Sequence, residues 1–484
     1  MGMIGPTGGS IMLKWLFAAA LGATALPLAG AAQAAPPTWT ATPCPGASGE
    51  RKLECGILTV DEARGTASKR RIALPVAILR ATDPKPGLPP VIYLPGGPGG
   101  SVFENVPAIG RGRVGRELIG VDQDWIFMEP RGAGQTVPRL DCGEVALNDA
   151  GPLTPEAVDA LKACGQRLQA AGIDLSRYNA AEIARDVADL KQVLGLKQFD
   201  LFGGSYGTRL EFAIMTHAPQ GLRAVVLDSP WPPEAKWTEG GPKLVSDAVK
   251  IIFARCAADP ACAAKYPNVQ ADLDRLAREW LAGPLVKEGR TYTASDLGGF
   301  LMDQTYSARG ARSLPRDIDK IAKGDLSPLD EQMAGRSGYD EGQHLTHLCK
   351  EEFPFEQRER VADGTQNDPV AGLLVASMQR YFDVCPAFAV GAANPIEQRP
   401  VTSDLPVLFL AAEIDPGCPP QFAEAAAKRL KNSQLVIVPN ATHGVSSRSV
   451  CARKMVRDFL RDPARPVDRT CLSPEHDKFA FILE

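Results

Sequence analysis

The chain has 484 residues, with 53 Lys and Arg against 57 Asp and Glu for a formal net charge of -4. Both signs are interspersed and no basic stripe runs along it, which argues against nucleic acid as a partner. The length allows one large domain with a substantial insertion, or two domains, around a sizeable core.

The first residues read as a targeting segment. Lys14 precedes an apolar, alanine-rich run from Trp15 to Ala32, and Ala32-Gln33-Ala34 has the small-x-small pattern of a signal-peptide cleavage site. This predicts a signal peptide over residues 1–34, with translation starting at Met1 or Met12, and a mature chain from Ala35 that is secreted or periplasmic. The run is short and broken by Gly22, Pro27 and Gly30, and no other uncharged run of spanning length follows, so no stable membrane insertion is expected after cleavage. Eleven cysteines in an exported chain without zinc-type spacings suggest disulfides rather than metal. Proximity suggests Cys44 with Cys55, Cys142 with Cys164, Cys256 with Cys262, Cys349 with Cys385 and Cys418 with Cys451, leaving Cys471 over.

From Cys44 to Thr82 the pattern predicts an antiparallel hairpin or meander at a sheet edge. Pro90 to Leu94 is a short apolar run of the buried parallel-strand type, and it enters Pro95-Gly96-Gly97-Pro98-Gly99-Gly100-Ser101. Glycines in that number expose backbone amides; the plainer alternative is an ordinary turn. Asp124 to Glu129 is another strand, and helices are predicted from Pro155 to Ala171 and from Ala180 to Leu194. A strand through Phe199 and Phe202, a helix over Thr208 to His217 and a strand from Ala224 to Leu227 continue the alternation. It stops at Pro230-Trp231-Pro232-Pro233. Residues 231–400 then read as an inserted helical cap. Alternation resumes with a strand at Leu405 to Ala411, a helix at Pro420 to Leu430, a strand at Gln434 to Val438 and a helix at Ser447 to Leu460. The fold class is α/β, a mostly parallel sheet of the alpha/beta-hydrolase type built from residues 35–230 and 401–484.

Between the Phe199 strand and its helix stands Gly203-Gly204-Ser205-Tyr206-Gly207, a GxSxG pattern in a strand-turn-helix context. Such a turn lifts the serine oxygen clear of the backbone, and glycine is needed where strand and helix nearly touch. Strand-end loops converge on one edge of a parallel sheet. Asp415 and His443 each follow a predicted strand, giving the chain order Ser, Asp, His. His443 would take the proton of Ser205 while Asp415 orients the imidazole and stabilises its charged form. Asp228 also ends a strand and competes for the acid's place; Asp415 is preferred. Of five histidines, His217 lies late in the elbow helix, pointing away, and His476 lies in the tail. His344 and His347 share a helical face without the glutamate of HExxH, so they are expected to be solvated or packed rather than metal-binding. The amide of Tyr206 and one glycine amide of Gly96-Gly97 would bind an oxyanion, since Pro98 has no N–H. This chemistry needs neither cofactor nor metal. The sequon Asn440-Ala441-Thr442 abuts the proposed base and is read as chance.

With these residues in view, the chain resembles the alpha/beta hydrolases related to proline iminopeptidases and, more closely, to secreted tripeptidyl aminopeptidases. The motifs that carry the resemblance are PGGPGGS at Pro95 to Ser101, the RGAG of Arg131 to Gly134, GGSYGT at Gly203 to Thr208, the LDSP of Leu227 to Pro230, and the DPGCPP and THG stretches. The resemblance implies a helical cap over the site, peptide substrates and release of residues from a free amino terminus. Family enzymes hold the substrate ammonium with cap carboxylates, for which Glu351 and Glu352 are the candidates; the alternative is two solvated surface glutamates. Glu129 stands where the family usually has aspartate. Rival expectations are a carboxylesterase acting on a small ester, an acyltransferase, and a non-catalytic binding module, the last of which has no physical need for the three residues together.

Overall fold

The structure is a computed structural model that describes residues 35–46, 51–143, 153–333, 339–472 and 479–484. The expected signal peptide and His476 lie outside the described residues. Strands β1 (Thr38–Thr42), β2 (Leu53–Asp61) and β3 (Arg71–Leu79) pair antiparallel in sequence order. Then come β4 (Val91–Leu94), β5 (Trp125–Met128), β6 (Phe199–Gly204) and β7 (Leu222–Asp228). A hairpin of β8 (Leu285–Lys287) and β9 (Arg290–Tyr292) stands apart, and the chain rejoins the sheet as β10 (Val407–Ile414) and β11 (Ser433–Thr442). The nine-stranded order is β1-β2-β3-β5-β4-β6-β7-β10-β11, and from β5 to β11 neighbouring strands are parallel.

Parallel strands covered on both faces have no use for alternation, and β10, VLFLAAEI, is buried at every position but Glu413. The buried exception in β6 is Asp200, whose two oxygens accept from Arg223 at 2.9 and 2.5 Å and from Gln123 at 3.0 Å. Helices Pro155–Ala170, Ala180–Val193 and Tyr206–His217 cover one face, with side-chain caps from Thr154 and Asn179 on the first two. Helix Val450–Arg461 covers the other.

Between β7 and β10, helices Trp237–Ala258, Val269–Ala282, Ala294–Tyr306, Ala308–Ala322 and Pro369–Phe388 enclose an apolar cluster of their own. Val269, Leu273, Leu276, Ala277 and Trp280 lie buried at the spacing of one helical face, which is why this segment folds against its neighbours rather than against the sheet. The sequence pattern predicts a helical insert here, and the structure adds the hairpin of β8 and β9 within it. Their turn is Glu288-Gly289, with φ of 52° and 78°, the left-handed pair that a two-residue hairpin of this kind requires.

Four expected disulfides are present: Cys44–Cys55, Cys142–Cys164, Cys256–Cys262 and Cys349–Cys385. The fifth expectation is corrected. Cys451 pairs with Cys471, and Cys418 is a buried free thiol. After the last helix the chain doubles back along it, with Lys454 paired to Asp468, and this brings Cys471 to the helix's first turn while Cys418 stays three residues beyond Asp415 at the sheet edge.

Candidate active site

Ser205 follows β6 with φ 57° and ψ -127°, a conformation L-residues rarely adopt, and its amide donates to the Asp228 carbonyl at 2.9 Å. The turn is tight enough that a Cβ at Gly203 would lie 2.6 Å from the carbonyl carbon of Gly207, and one at Gly207 would overlap the Leu94 carbonyl. Thr208 donates its hydroxyl to the Ser205 carbonyl at 2.6 Å and accepts the Trp231 amide at 2.8 Å, tying the elbow to the start of the segment between β7 and β10.

His443 directly follows β11, and its Nδ1 lies 2.9 Å from both carboxylate oxygens of Asp415. Asp415 Oδ1 also accepts the Gly417 and Cys418 amides at 3.0 and 2.8 Å, which orients the carboxylate. Burial pulls the imidazole pKa down, but the facing Asp415 carboxylate outweighs it, so the His443 pKa is raised. Asp228, the rival acid, spends its carboxylate on other partners. Its carboxylate accepts the Val445 and Ser446 amides at 2.8 Å each and the Ser446 hydroxyl at 2.6 Å, so it holds the loop that carries His443.

Ser205 and His443 line a cavity of about 200 Å³ together with Gly97, Tyr306 and Cys418. The glycine loop runs against the serine: a Cβ at Gly96 would lie 3.0 Å from Ser205 Cβ. The amide of Tyr206 opens a helix, where an N–H has no intrahelical acceptor. Two donors beside one hydroxyl can stabilise a tetrahedral oxyanion. Glu129 steadies the glycine loop from behind, accepting from Ser101 Oγ at 2.6 Å and from the Phe103 amide at 3.0 Å. Tyr306 stands edge-on to the His443 ring, with centroids 4.9 Å apart.

Glu351 and Glu352 are neither solvated nor turned to this cavity, so both expectations for them are corrected. Each is 1% exposed. Arg209 lies between them, 2.6 Å from Glu352 and 3.4 Å from Glu351. Burial works against ionising Glu351, yet His347 and Arg209 overcome it and hold its pKa down at about 2. His347 is buried against Tyr206, and His344, half-buried, lines the cavity. The carboxylates that line the cavity are Asp303 and Glu341, which the sequence reading did not single out. Nor did it single out Tyr306 or the Cys418 thiol, which lines the cavity with Ser205. Cys418's position three residues after the candidate acid was the available signal. Among the described residues no cluster of side chains is suited to hold a metal ion.

The TAP-like protein family model matches residues 354–471. The chain is 27% identical over 369 residues to serine protease Hip1 of Mycobacterium tuberculosis, covering 68% of this chain and 69% of that protein. It is 26% identical over 196 residues to the tripeptidyl aminopeptidase of Streptomyces lividans, covering 37% and 35%. Among solved structures, the proline iminopeptidase of Mycobacterium smegmatis aligns over 81% of this chain and 96% of its own, with 16% identity and a TM-score of 0.39. The chain has the alpha/beta-hydrolase fold with a TAP-like segment at residues 354–471, is similar to Hip1 and the tripeptidyl aminopeptidase, and is a serine hydrolase.

Proposed function

We propose that the chain is an exported aminopeptidase that cleaves peptides from a free amino terminus through an acyl-enzyme on Ser205. The observation that carries this reading is the pairing of His443 with Asp415 at 2.9 Å on the wall of the cavity that Ser205 also lines. His443 Nε2 would take the hydroxyl proton as Ser205 Oγ bonds the scissile carbonyl carbon, then return it to the departing amine. Water, activated by the same imidazole, would release the acyl group. The oxyanion would rest on the Tyr206 amide and a glycine amide, Gly97 or Gly96. Residues 231–400, as a cap, would close the cavity over the substrate's amino end, with Asp303 and Glu341 as carboxylates of suitable charge for an ammonium group. The relative named tripeptidyl aminopeptidase supports a peptide substrate, and the five disulfides support an oxidising location such as the periplasm or the medium.

The test is hydrolysis of matched chromogenic substrates by the wild type and Ser205→Ala: single-residue and tripeptide anilides with free amino termini, their amino-blocked forms, and a short-chain ester. Serine-dependent cleavage of free but not blocked anilides is expected. Cleavage of the ester alone would overturn the peptidase reading and leave an esterase.

A further inference from the structure

A single cap helix, Glu341–Glu351, touches both sides of the oxyanion hole. At its start, the Asp340 amide donates to the Gly99 carbonyl at 2.9 Å, and His344 Nδ1 lies 3.0 Å from the Pro98 carbonyl. The fit is close enough that a Cβ at Gly99 would stand 2.9 Å from the Asp340 oxygen. At its end, the Tyr206 hydroxyl lies 2.5 Å from His347 Nδ1 and 2.6 Å from Glu351 Oε2, while Glu351 Oε1 lies 3.1 Å from the same imidazole nitrogen. One proton assignment satisfies this triangle. The phenol donates to the ionised Glu351, and the His347 Nδ1–H points between the phenol oxygen and the carboxylate. All three side chains are at most 2% exposed, and a charge-assisted hydrogen bond is strong in such surroundings.

The helix is itself fixed. Glu351 Oε1 accepts the Ala180 amide at 2.6 Å, and Cys349 is bonded to Cys385 of the neighbouring cap helix. Its other face lines the cavity with Glu341, His344, Leu345 and Leu348. Hence the element that meets the substrate also grips the Tyr206 side chain and the carbonyls beside Gly97. A helix spanning both ends transmits a shift at one to the other, because its backbone hydrogen bonds make it stiff over its 11 residues.

We propose that this helix positions the oxyanion hole, with His347 and Glu351 as positioning residues that act through the Tyr206 phenol and with Asp340 and His344 setting the glycine loop. This rests on the reading of the Tyr206 and glycine amides as oxyanion donors. Its consequence is that cap placement governs turnover rather than substrate affinity alone. Removing an oxyanion donor outright costs about 100- to 1,000-fold in turnover. Releasing the side chain while the amide stays should cost less, roughly 10- to 100-fold on the same scale.

The experiment compares Tyr206→Phe, His347→Ala and His347→Asn with the wild type and Ser205→Ala. Asn offers an amide N–H near the place of Nδ1–H. The readouts are kcat and KM on a free tripeptide anilide, and inhibition by a peptide aldehyde against its unreactive alcohol. The aldehyde carbon bonds Ser205 Oγ, the hydroxyl proton passes to His443, and the carbonyl oxygen becomes an oxyanion in the hole. The alcohol only fills the cavity. Tyr206→Phe and His347→Ala are expected to lose kcat and aldehyde affinity together, with KM and alcohol affinity within about threefold, and His347→Asn to recover most of the loss. Folded variants with unchanged kcat, or with both inhibitors weakened alike, would overturn the proposal. Should Tyr206→Phe fail to fold, the Asn and Ala variants of His347 still decide it: equal losses in the two, with both folded, overturn the proposal. Absence of Ser205-dependent turnover in the wild type would instead bring down the reading of the reaction, and the proposal with it.

Discussion

Asp415→Asn probes how the imidazole is held. Asp415 is 4% exposed, accepts two backbone amides on Oδ1 at 3.0 and 2.8 Å, and faces His443 Nδ1 with both oxygens at 2.9 Å. An asparagine has one acceptor oxygen, which the two fixed amides retain, leaving its NH2 toward Nδ1. The imidazole then keeps its proton on Nε2 and has no lone pair for the Ser205 hydroxyl. Wrong-tautomer substitutions of this kind lower kcat by about 10,000-fold, roughly 5 kcal/mol of transition-state stabilisation. Losing the carboxylate also leaves burial as the main influence on His443, so the acid limb of the residual activity should move to lower pH. The control is Asp228→Asn, which disturbs the hydrogen bonds to Val445 and Ser446 and should cost about 1–3 kcal/mol of stability with a much smaller loss of kcat. Turnover of a tripeptide anilide, normalised by active-site titration, and thermal melts separate the two. If Asp415→Asn stays within tenfold of the wild type while Asp228→Asn falls a thousandfold, the acid is Asp228 and the reasoning fails.

Three further outcomes are expected. Gly203→Ala puts a Cβ 2.6 Å from the Gly207 backbone, which cannot yield, so the variant should either misfold or lose fluorophosphonate labelling; a stable, fully labelled protein would refute the close-contact account of the elbow. Burial raises Glu129 from 4.5 to about 7, so the folded chain keeps a proton that the unfolded chain releases; stability should fall as pH rises from 4.5 through 7. At about 1.4 kcal/mol per pKa unit Glu129's share of the loss is up to roughly 3 kcal/mol, and Glu129→Gln should flatten the slope by that share in melts across this range, whereas parallel slopes for both proteins would contradict it. Denatured without reductant, the mature chain should alkylate at one thiol, Cys418, and at all eleven cysteines after reduction; labelling of Cys471 in the unreduced sample would reject the Cys451–Cys471 pairing.

What the sequence by itself determined are features whose physical requirements are short-range. A buried strand, glycines at 203 and 207 and a helix specify the elbow within a dozen residues, and the strands before Asp415 and His443 are legible as apolar runs for the same reason. Four disulfides join cysteines close in sequence. The hairpin turn at Glu288-Gly289 is also local, but the absence of alternating flanks hid it. Tertiary structure decided everything that depends on which way a polar side chain faces. Glu351 and Glu352 sit in a sequence that suits an exposed helix end equally well; they are buried because Arg209, from a helix 142 residues earlier, is packed against them. Asp228 and Asp415 both end strands, and the path of the loop after His443 gives one the amides of Val445 and Ser446 and the other the imidazole. For Cys451, proximity in sequence already favoured Cys471 over Cys418, and the chain after helix Val450–Arg461 doubles back to deliver it. Hydrophobic periodicity and turn chemistry act between neighbours in sequence, whereas a charge finds its partner only once distant elements have packed.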